Sequence, residues 1–394
     1  MVGWAVLADS VPIYPLYALL FVDSGLSDLQ ISLLFALWSA VGVVFEVPSG
    51  VLADRFSRRG CLVAGDLVRA VGFAAWVLLP EFAGFAVGFV LWGIGSSLAS
   101  GAQEALLYDG LVAAGAKEHY AVVNGRVSAA ELTSQLPAAA AGTVLFSLGG
   151  YALAGWVSVG VALAAAVLAA RIPEAPRVGE DDADDDEGDD LGYLATLRVG
   201  LREAAARPGV RAVLVAVMAV AAFDAVEEYF PLAVASWGVP VAWVPIVDLP
   251  IVLAGVLGAA LAGLVNRLGA GAIGALLAAA MLLLGGAGLL AHPAGVAAVA
   301  LFYGIYRAIV VVCDARLQDR IASRSRATVT SVAGLGTDLV SFAIYAAWVV
   351  GEVVALAVLG LLVAAVLPRL LRSRPSAPTP GSAPLPGGDV PGGG

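Results

Sequence analysis

The chain has 394 residues, of which 60% are apolar and only 13% are charged. A soluble domain holds about 45–50% apolar and about 25% charged residues, so this composition excludes an ordinary water-exposed surface and the surplus apolar area has to face lipid. The formal charge of −10 is not a global field, because the tract EDDADDDEGDD from Glu180 to Asp190 holds nine of the acids and the rest is near neutrality; no nucleic-acid partner is expected.

A spanning helix needs about 20 apolar residues. Runs of that kind predict helices at 2–21, 28–53, 60–79, 84–112, 119–147 and 150–171. A second set follows at 209–234, 240–267, 270–290, 293–318, 325–349 and 351–370. The fold class is therefore an all-α membrane protein of about twelve transmembrane helices. Residues 1–171 hold the first six spans, an amino-terminal unit, and 209–371 the second six, a carboxy-terminal unit. Between them, 172–208 begins with the acidic tract, whose charge predicts disorder, and ends in YLATLRVGLREAAAR, which reads as an amphipathic surface helix. The tail 372–394 is rich in Pro and Gly and is expected to be disordered. The first span starts at once, without a basic leader, so no cleavable signal peptide is expected. Cys61 and Cys313 both fall near helix ends on one side, so no disulfide is expected, and His119 and His292 fall at opposite faces and make no metal site. No metal or cofactor is expected.

The positive charges orient the chain. With the amino terminus in the cytoplasm, Arg69, Arg126 and Arg307 lie inside spans, every other basic residue falls on inner segments, and the outer loops hold none. Both termini are then cytoplasmic in a multi-pass protein of the cell membrane, expected to be a monomer. Losing one helix would reverse every later loop, so the charge pattern also supports the count.

The halves resemble each other. HYAVVNGRVSAAEL at 119–132 aligns without gaps to RATVTSVAGLGTDL at 326–339 and sets Glu131 on Asp338. Glu104 and Asp109 recur as Asp314 and Asp319 at the same spacing. Spans 6, 9 and 12 lack interior charges and can face lipid, whereas the others, with charge inside, should face protein or water. In span 3, Asp66 and Arg69 are three residues apart and can neutralise each other on one helix face.

The stretch GVLADRFSRR from Gly50 to Arg59 sits between spans 2 and 3. It resembles the G-x-x-x-D-R-x-x-R-R signature of the major facilitator superfamily, and the nearby EVPS at Glu46 and SGAQEALLYD ending at Asp109 resemble stretches of its bacterial members. The resemblance implies two pseudo-symmetric bundles that rock about a central cavity. It implies a gating role for Gly50, Asp54, Arg55, Arg58 and Arg59, with Asp54 near the positive end of an inward-starting helix such as span 11. Drug–proton antiporters of that superfamily carry G-P-x-x-G-G in span 5. Here QLPAAAAG keeps Pro137 and Gly142 but replaces the other glycines by alanine, which leans toward efflux.

Twelve acids and three bases fall inside the predicted spans, so mutual pairing is incomplete and the remaining acids must be hydrated, protonated or matched by ligand. The proton-coupling or substrate candidates are Asp9, Glu104, Asp109, Glu131, Asp224, Arg307 and Asp338. Glu131, Asp224, Arg307 and Asp338 fall near mid-helix, where ionisable groups suit proton relay or substrate binding. Arg307 is placed to neutralise Asp224 or Asp338, or to meet an anionic ligand. Glu131 is placed to pair with Arg126, five residues away, or with another helix. Glu104 and Asp109 are placed to bond to the facing half at an inner gate. Glu227, Glu228 and Asp248 fall in the outer third, where they can simply be wet. Tyr14, Tyr17, Trp38, Trp92, Tyr303 and Tyr306 can stack on a ligand or serve as packing.

These readings point to a secondary transporter that exports a small, cationic or amphipathic molecule against protons, with proton-coupled uptake of a nutrient as the alternative. No enzymatic activity is expected, because an intramembrane enzyme built on aspartate clusters needs two acid-rich motifs around one pocket and the only dense cluster lies in a hydrophilic loop. A receptor or scaffold without transport is the remaining rival.

Overall fold

The computed structural model describes residues 1–55, 57–174, 208–321 and 326–372, with side chains described outside 46–55 and 326–328. The acidic tract, the predicted surface helix, the tail, and the side chains of Gly50, Asp54 and Arg55 therefore lie outside the described residues.

The described elements are helical. They are α1 (Val2–Asp9), α2 (Tyr17–Asp23), α3 (Asp28–Arg55), α4 (Arg58–Leu78), α5 (Phe82–Ala113) and α6 (Tyr120–Ala169) in the first half. The second half holds α7 (Pro208–Ala221), α8 (Phe230–Ser236), α9 (Val244–Ala260), α10 (Ala262–Asn266), α11 (Ala270–Leu290), α12 (Gly295–Gln318) and α13 (Arg326–Arg372).

Two of these helices are hairpins. In α6 the backbone leaves helical geometry at Gly149 and Gly150. Gly142, before the hinge, packs on Pro12, and Ser158, after it, accepts a hydrogen bond at 3.0 Å from the Ile13 N–H. One short stretch can touch both limbs only if the chain turns back. In α13 the hinge is Gly351 and Glu352. Thr330 lies 3.2 Å from Gln318, and the Leu371 carbonyl lies 2.9 Å from Arg320, so both ends of α13 return to one end of α12. With these hinges counted, and with α1–α2, α7–α8 and α9–α10 each taken as one broken span, the described helices make twelve crossings of a bilayer.

The span predicted over 2–21 is not a continuous helix. Pro12 and Pro15 cannot donate the backbone hydrogen bonds a helix needs, and the chain unwinds between Asp9 and Tyr17. The span predicted over 209–234 is also broken: Ala222–Tyr229 forms a 3-10 helix between α7 and α8. Pro231, just after it, has no N–H for the carbonyl of Glu227, which loosens the turn before it.

Each half is a six-helix bundle. In the first, α4 packs on α5 and on the second limb of α6; in the second, α11 packs on α13 and α12, and α9 on α12. Close backbone approach needs glycine at these contacts. A Cβ at Gly65 would stand 2.6 Å from the carbonyl of Gly95, and one at Gly258 would collide with the backbone of Gly304. The halves meet where α3 packs on α13 and α6 on α9. The predicted charge-free spans turn apolar side chains outward: Trp156, Leu163 and Val167 in α6, Leu282 and Leu289 in α11, and Leu362 and Val366 in α13 are exposed.

The two ends of the molecule differ in charge. Arg58, Arg59, Lys117, Arg171, Arg211, Arg267, Arg316 and Arg372 lie at one end, called the basic end below. Asp23, Asp28, Glu81 and Glu352 lie at the other, the acidic end.

Candidate functional site

The 3-10 stretch Ala222–Tyr229 is a junction. With three residues per turn, positions three apart fall in line, so Asp224 and Glu227 face the same neighbour. That neighbour is α12, where Tyr303 and Arg307 stand one turn apart. Arg307 Nη1 donates to Asp224 Oδ1 at 2.7 Å, and the Tyr303 hydroxyl donates to Glu227 Oε2 at 2.8 Å. The Tyr306 hydroxyl donates to the carbonyls of Val220 and Ala221, at 3.1 and 3.2 Å, where the regular helix ends. The next two residues reach the other half. Glu228 accepts from the Tyr17 hydroxyl, and the hydroxyls of Tyr229 and Ser32 share a hydrogen bond of 2.8 Å. Ser39 bonds to Tyr345 at 2.9 Å, and Trp348 Nε1 donates to Asp28 at 3.2 Å. Among the described residues, these cross-half hydrogen bonds lie toward the acidic end.

The first half has a buried polar core beside the unwound segment. Arg69 pairs with Asp66 at 3.4 Å and donates to the Tyr14 hydroxyl at 2.9 Å and to the carbonyl of Ala8. Trp4 Nε1 donates to Asp66 at 2.8 Å. The break after Asp9 thus gives Arg69 a free carbonyl. Tyr14 stacks on Trp92 with centroids 4.8 Å apart, and Trp38 lies 5.3 Å from Trp92.

Four neighbouring cavities share lining residues, and three of them are lined from both halves. The one nearest the acidic end, about 260 Å³, is lined by Asp9, Tyr14, Tyr17, Trp38, Trp92, Gln135, Glu227, Glu228 and Asp248. A polar cavity of about 290 Å³ shares Asp9 and adds Arg69, Gln103, Glu104 and Glu131. A wider one of about 610 Å³ holds Trp38, Ser39, Glu104 and Asp338 and reaches the last third of α5, toward the basic end. A fourth, about 310 Å³, joins Asp224, Arg307, Asp338 and Tyr345. Asp9, Glu104, Glu131, Asp224, Arg307 and Asp338 therefore border neighbouring cavities that share lining residues. Asp109 does not: it is buried at the basic end in an ion pair with Arg58, whose Nη1 also donates to the carbonyl of Ala105 at 3.2 Å.

The pairings select among the alternatives the sequence left open for Glu131 and Arg307, and differ from it for Asp109, Glu227 and Glu228. Glu131 accepts from Gln103 at 2.7 Å rather than from Arg126. Asp109 bonds within its own half rather than to the facing one. Arg307 takes Asp224 of the two acids open to it. Glu227 and Glu228 are held by tyrosine hydroxyls rather than left wet, and Asp248 Oδ1 is shut off from water without a hydrogen-bond partner.

Glu174 plays a part that sequence reasoning missed. Its carboxylate accepts from Ser57 Oγ and from the Arg58 N–H, each at 2.6 Å, and from the Arg59 N–H at 3.4 Å, while Arg59 Nε lies 3.9 Å away. Partial burial pushes this carboxyl up, but these hydrogen bonds and the nearby Arg59 charge outweigh it and hold it below the usual range. Glu174 thus caps the first turn of α4 and ties the end of α6 to the loop carrying Arg58 and Arg59.

The Major Facilitator Superfamily model matches residues 1–345. A segment of 90 residues is 28% identical to an uncharacterized MFS-type transporter, YxaM, of Bacillus subtilis (strain 168), covering 23% of each chain. Another, of 99 residues, is 30% identical to an uncharacterized transporter of Buchnera aphidicola subsp. Schizaphis graminum, covering 25% of this chain and 24% of that one. The matched segments span about a quarter of these curated relatives. Three solved structures share the fold across most of their length. A bacterial homolog of the human lysosomal transporter Spinster, inward-facing and occupied, superposes with a TM-score of 0.71 at 16% identity, over 94% of this chain and 93% of that one. The nucleoside transporter NupG gives 0.70 at 13%, over 94% and 96%. A D-xylose–proton symporter gives 0.65 at 19%, over 93% and 95%.

Proposed function

This chain belongs to the major facilitator superfamily, and from that premise we propose that it exports a small organic molecule through a membrane by alternating access, in exchange for protons. The observation that carries the reading is the central cavity system. It lies between two six-helix halves, is bounded toward the acidic end by cross-half hydrogen bonds, and is bordered by Asp9, Glu104, Glu131, Asp224 and Asp338 with only Arg69 and Arg307 as bases among the described residues. Carboxyl groups in excess over bases, in a space that water and ligand can share, suit a site where protons and a cationic or amphipathic substrate compete. Glu131, Asp224 and Asp338 are the proposed proton carriers, and Arg307 holds Asp224 in an ion pair.

In this reading the units 1–171 and 209–371 are the rocking bodies, 172–208 joins them, and the chain works as a monomer in the cell membrane. The basic end faces the cytoplasm, by the bias of Lys and Arg toward that side. Arg58, Arg59 and Asp109, with the neighbouring Gly50, Asp54 and Arg55, form the gate at that end. The second reading, proton-coupled uptake, uses the same groups with the cycle run in the other direction.

The test is proton release from purified protein in detergent, on adding members of a library of cationic, neutral and anionic compounds. Release on adding a cation, abolished by Glu131→Gln, Asp224→Asn or Asp338→Asn, is the expected result. Measurable binding with no release from any compound would contradict competition between proton and substrate.

A further inference from the structure

The cavity nearest the acidic end has a composition that the transport reading does not by itself require. One wall holds three carboxyl groups, Glu227, Glu228 and Asp248, and the other holds the ring system of Tyr14, Trp38 and Trp92. No lysine or arginine among the described residues lines it. The hydrogen bonds that Glu227 and Glu228 receive come from tyrosine hydroxyls, which orient a carboxylate without neutralising it, and Arg307, which lines the adjoining cavity with both, is bonded to Asp224. Asp248 Oδ1 has no partner at all. A carboxylate in such a place is costly unless a proton or a cation offsets its charge. Opposite it, Trp92 is braced by stacking on Tyr14 and Phe89, with centroids 4.8 and 5.7 Å away, and Trp38 lies beside it at 5.3 Å, so Tyr14 and Trp38 are the rings left to offer a face. Such ring faces attract a cation within about 6 Å of their centres, and most strongly a weakly hydrated organic one.

We infer that this cavity is a seat for a small organic ammonium ion, its charged head against Asp248, Glu227 and Glu228 and its apolar body against Trp38, Trp92 and Tyr14. The inference rests on the reading of the chain as a transporter and names the substrate class at one end of its cavity. A metal ion is a poorer occupant. Hard cations take six or more oxygen ligands, and no three acidic, cysteine or histidine side chains among the described residues converge closely enough to hold one. Size is also bounded, because about 260 Å³ lies below the ~300–1,000 Å³ of sites for drug-sized ligands. The seat also adjoins the closure between the halves, since Glu228 is the acceptor of the Tyr17 hydroxyl. A cation drawing on Glu228 competes with that contact, so occupancy of the seat favours release of the acidic end.

The test is calorimetric binding to the purified full chain in detergent, with benzyltrimethylammonium and with N-benzylacetamide, a neutral probe of similar size. The ammonium should bind about tenfold or more tightly than the amide, and Asp248→Asn should weaken it by a similar factor. Trp92→Phe should weaken it less. Equal or tighter binding of the amide to the unaltered protein would overturn the proposal and show the carboxyls to be protonated; that comparison stands even if Asp248→Asn fails to fold. A folded Asp248→Asn that binds the ammonium as before would also overturn it. Flux in proteoliposomes separates the two readings. Ammonium binding without flux of any compound keeps the seat and contradicts transport, whereas flux of another solute without ammonium binding keeps transport and contradicts the seat.

Discussion

Two ion pairs inside the bundles, each an aspartate with an arginine, differ in what they do. Asp66 and Arg69 are 0% and 6% exposed at the side chain, with Trp4 and Tyr14 completing their hydrogen bonds. Asp224 and Arg307 are 45% and 34% exposed, and they border the cavity. Removing one member of a buried pair leaves an uncompensated charge and costs about 3–5 kcal/mol, whereas a wetted pair contributes about 1 kcal/mol or less. Asp66→Ala is therefore expected to lower the stability of the detergent-solubilised protein several-fold more than Asp224→Ala, and Asp224→Ala to abolish flux with little change in the unfolding midpoint. The reverse order of stabilities would contradict the assignment. The first pair was legible in the sequence, because a spacing of three on one helix fixes proximity. The second was half legible: the acids open to Arg307 could be named, but the choice of Asp224 over Asp338 depends on how α12 sits against the 3-10 stretch. Glu131 shows the same limit. Its partner Gln103 is uncharged, so no search for opposite charges along the chain would find it.

At the scale of elements, the breaks matter more than the helices. The unwinding between Asp9 and Tyr17 exposes the carbonyl that Arg69 uses, and the 3-10 stretch brings Asp224 and Glu227 into line on α12. Pro12, Pro15 and Pro231 were visible in the sequence, yet apolar runs without long polar gaps read as continuous spans, because hydropathy measures burial and not backbone geometry. The hairpin turns show the same contrast between halves. Gly150 sits at φ 63°, ψ −160°, a region that suits glycine, while its counterpart in the second half, Glu352, sits at φ 47°, ψ −136°. A side chain there costs of order 1–3 kcal/mol. Glu352→Gly should raise stability by about 1 kcal/mol, after the larger chain entropy of glycine in the unfolded state is set against the strain, and Gly150→Ala should lower it by about 1–3 kcal/mol. Denaturation midpoints in detergent measure both. A destabilised Glu352→Gly protein would show that the turn carries no strain.

The whole molecule is two bundles held together, among the described residues, by hydrogen bonds toward one end. Ser32 to Tyr229, Ser39 to Tyr345, Asp28 to Trp348 and Tyr17 to Glu228 all lie in its acidic half. The architecture was legible because span count, loop charge and the loop around Arg58 and Arg59 are properties of the linear chain. The location of the closure was not, since it joins hydroxyls and carboxylates whose meeting depends on the packing of two separate bundles. In the proposed orientation, with the basic end toward the cytoplasm, this arrangement corresponds to an inward-facing state, and the proposed transport requires its opposite. The measurement that tests this most directly is a pair of spin-label distances in the full chain after Cys61 and Cys313, both buried, are changed to Ala. One pair replaces Glu81 and Glu352 at the acidic end, and the other Lys117 and Arg267 at the basic end, all exposed and each pair with one position per half. On changing proton concentration or adding benzyltrimethylammonium, the acidic-end distance should lengthen as the basic-end distance shortens. Two distances that stay fixed, or that change in the same direction, would contradict alternating access about this cavity.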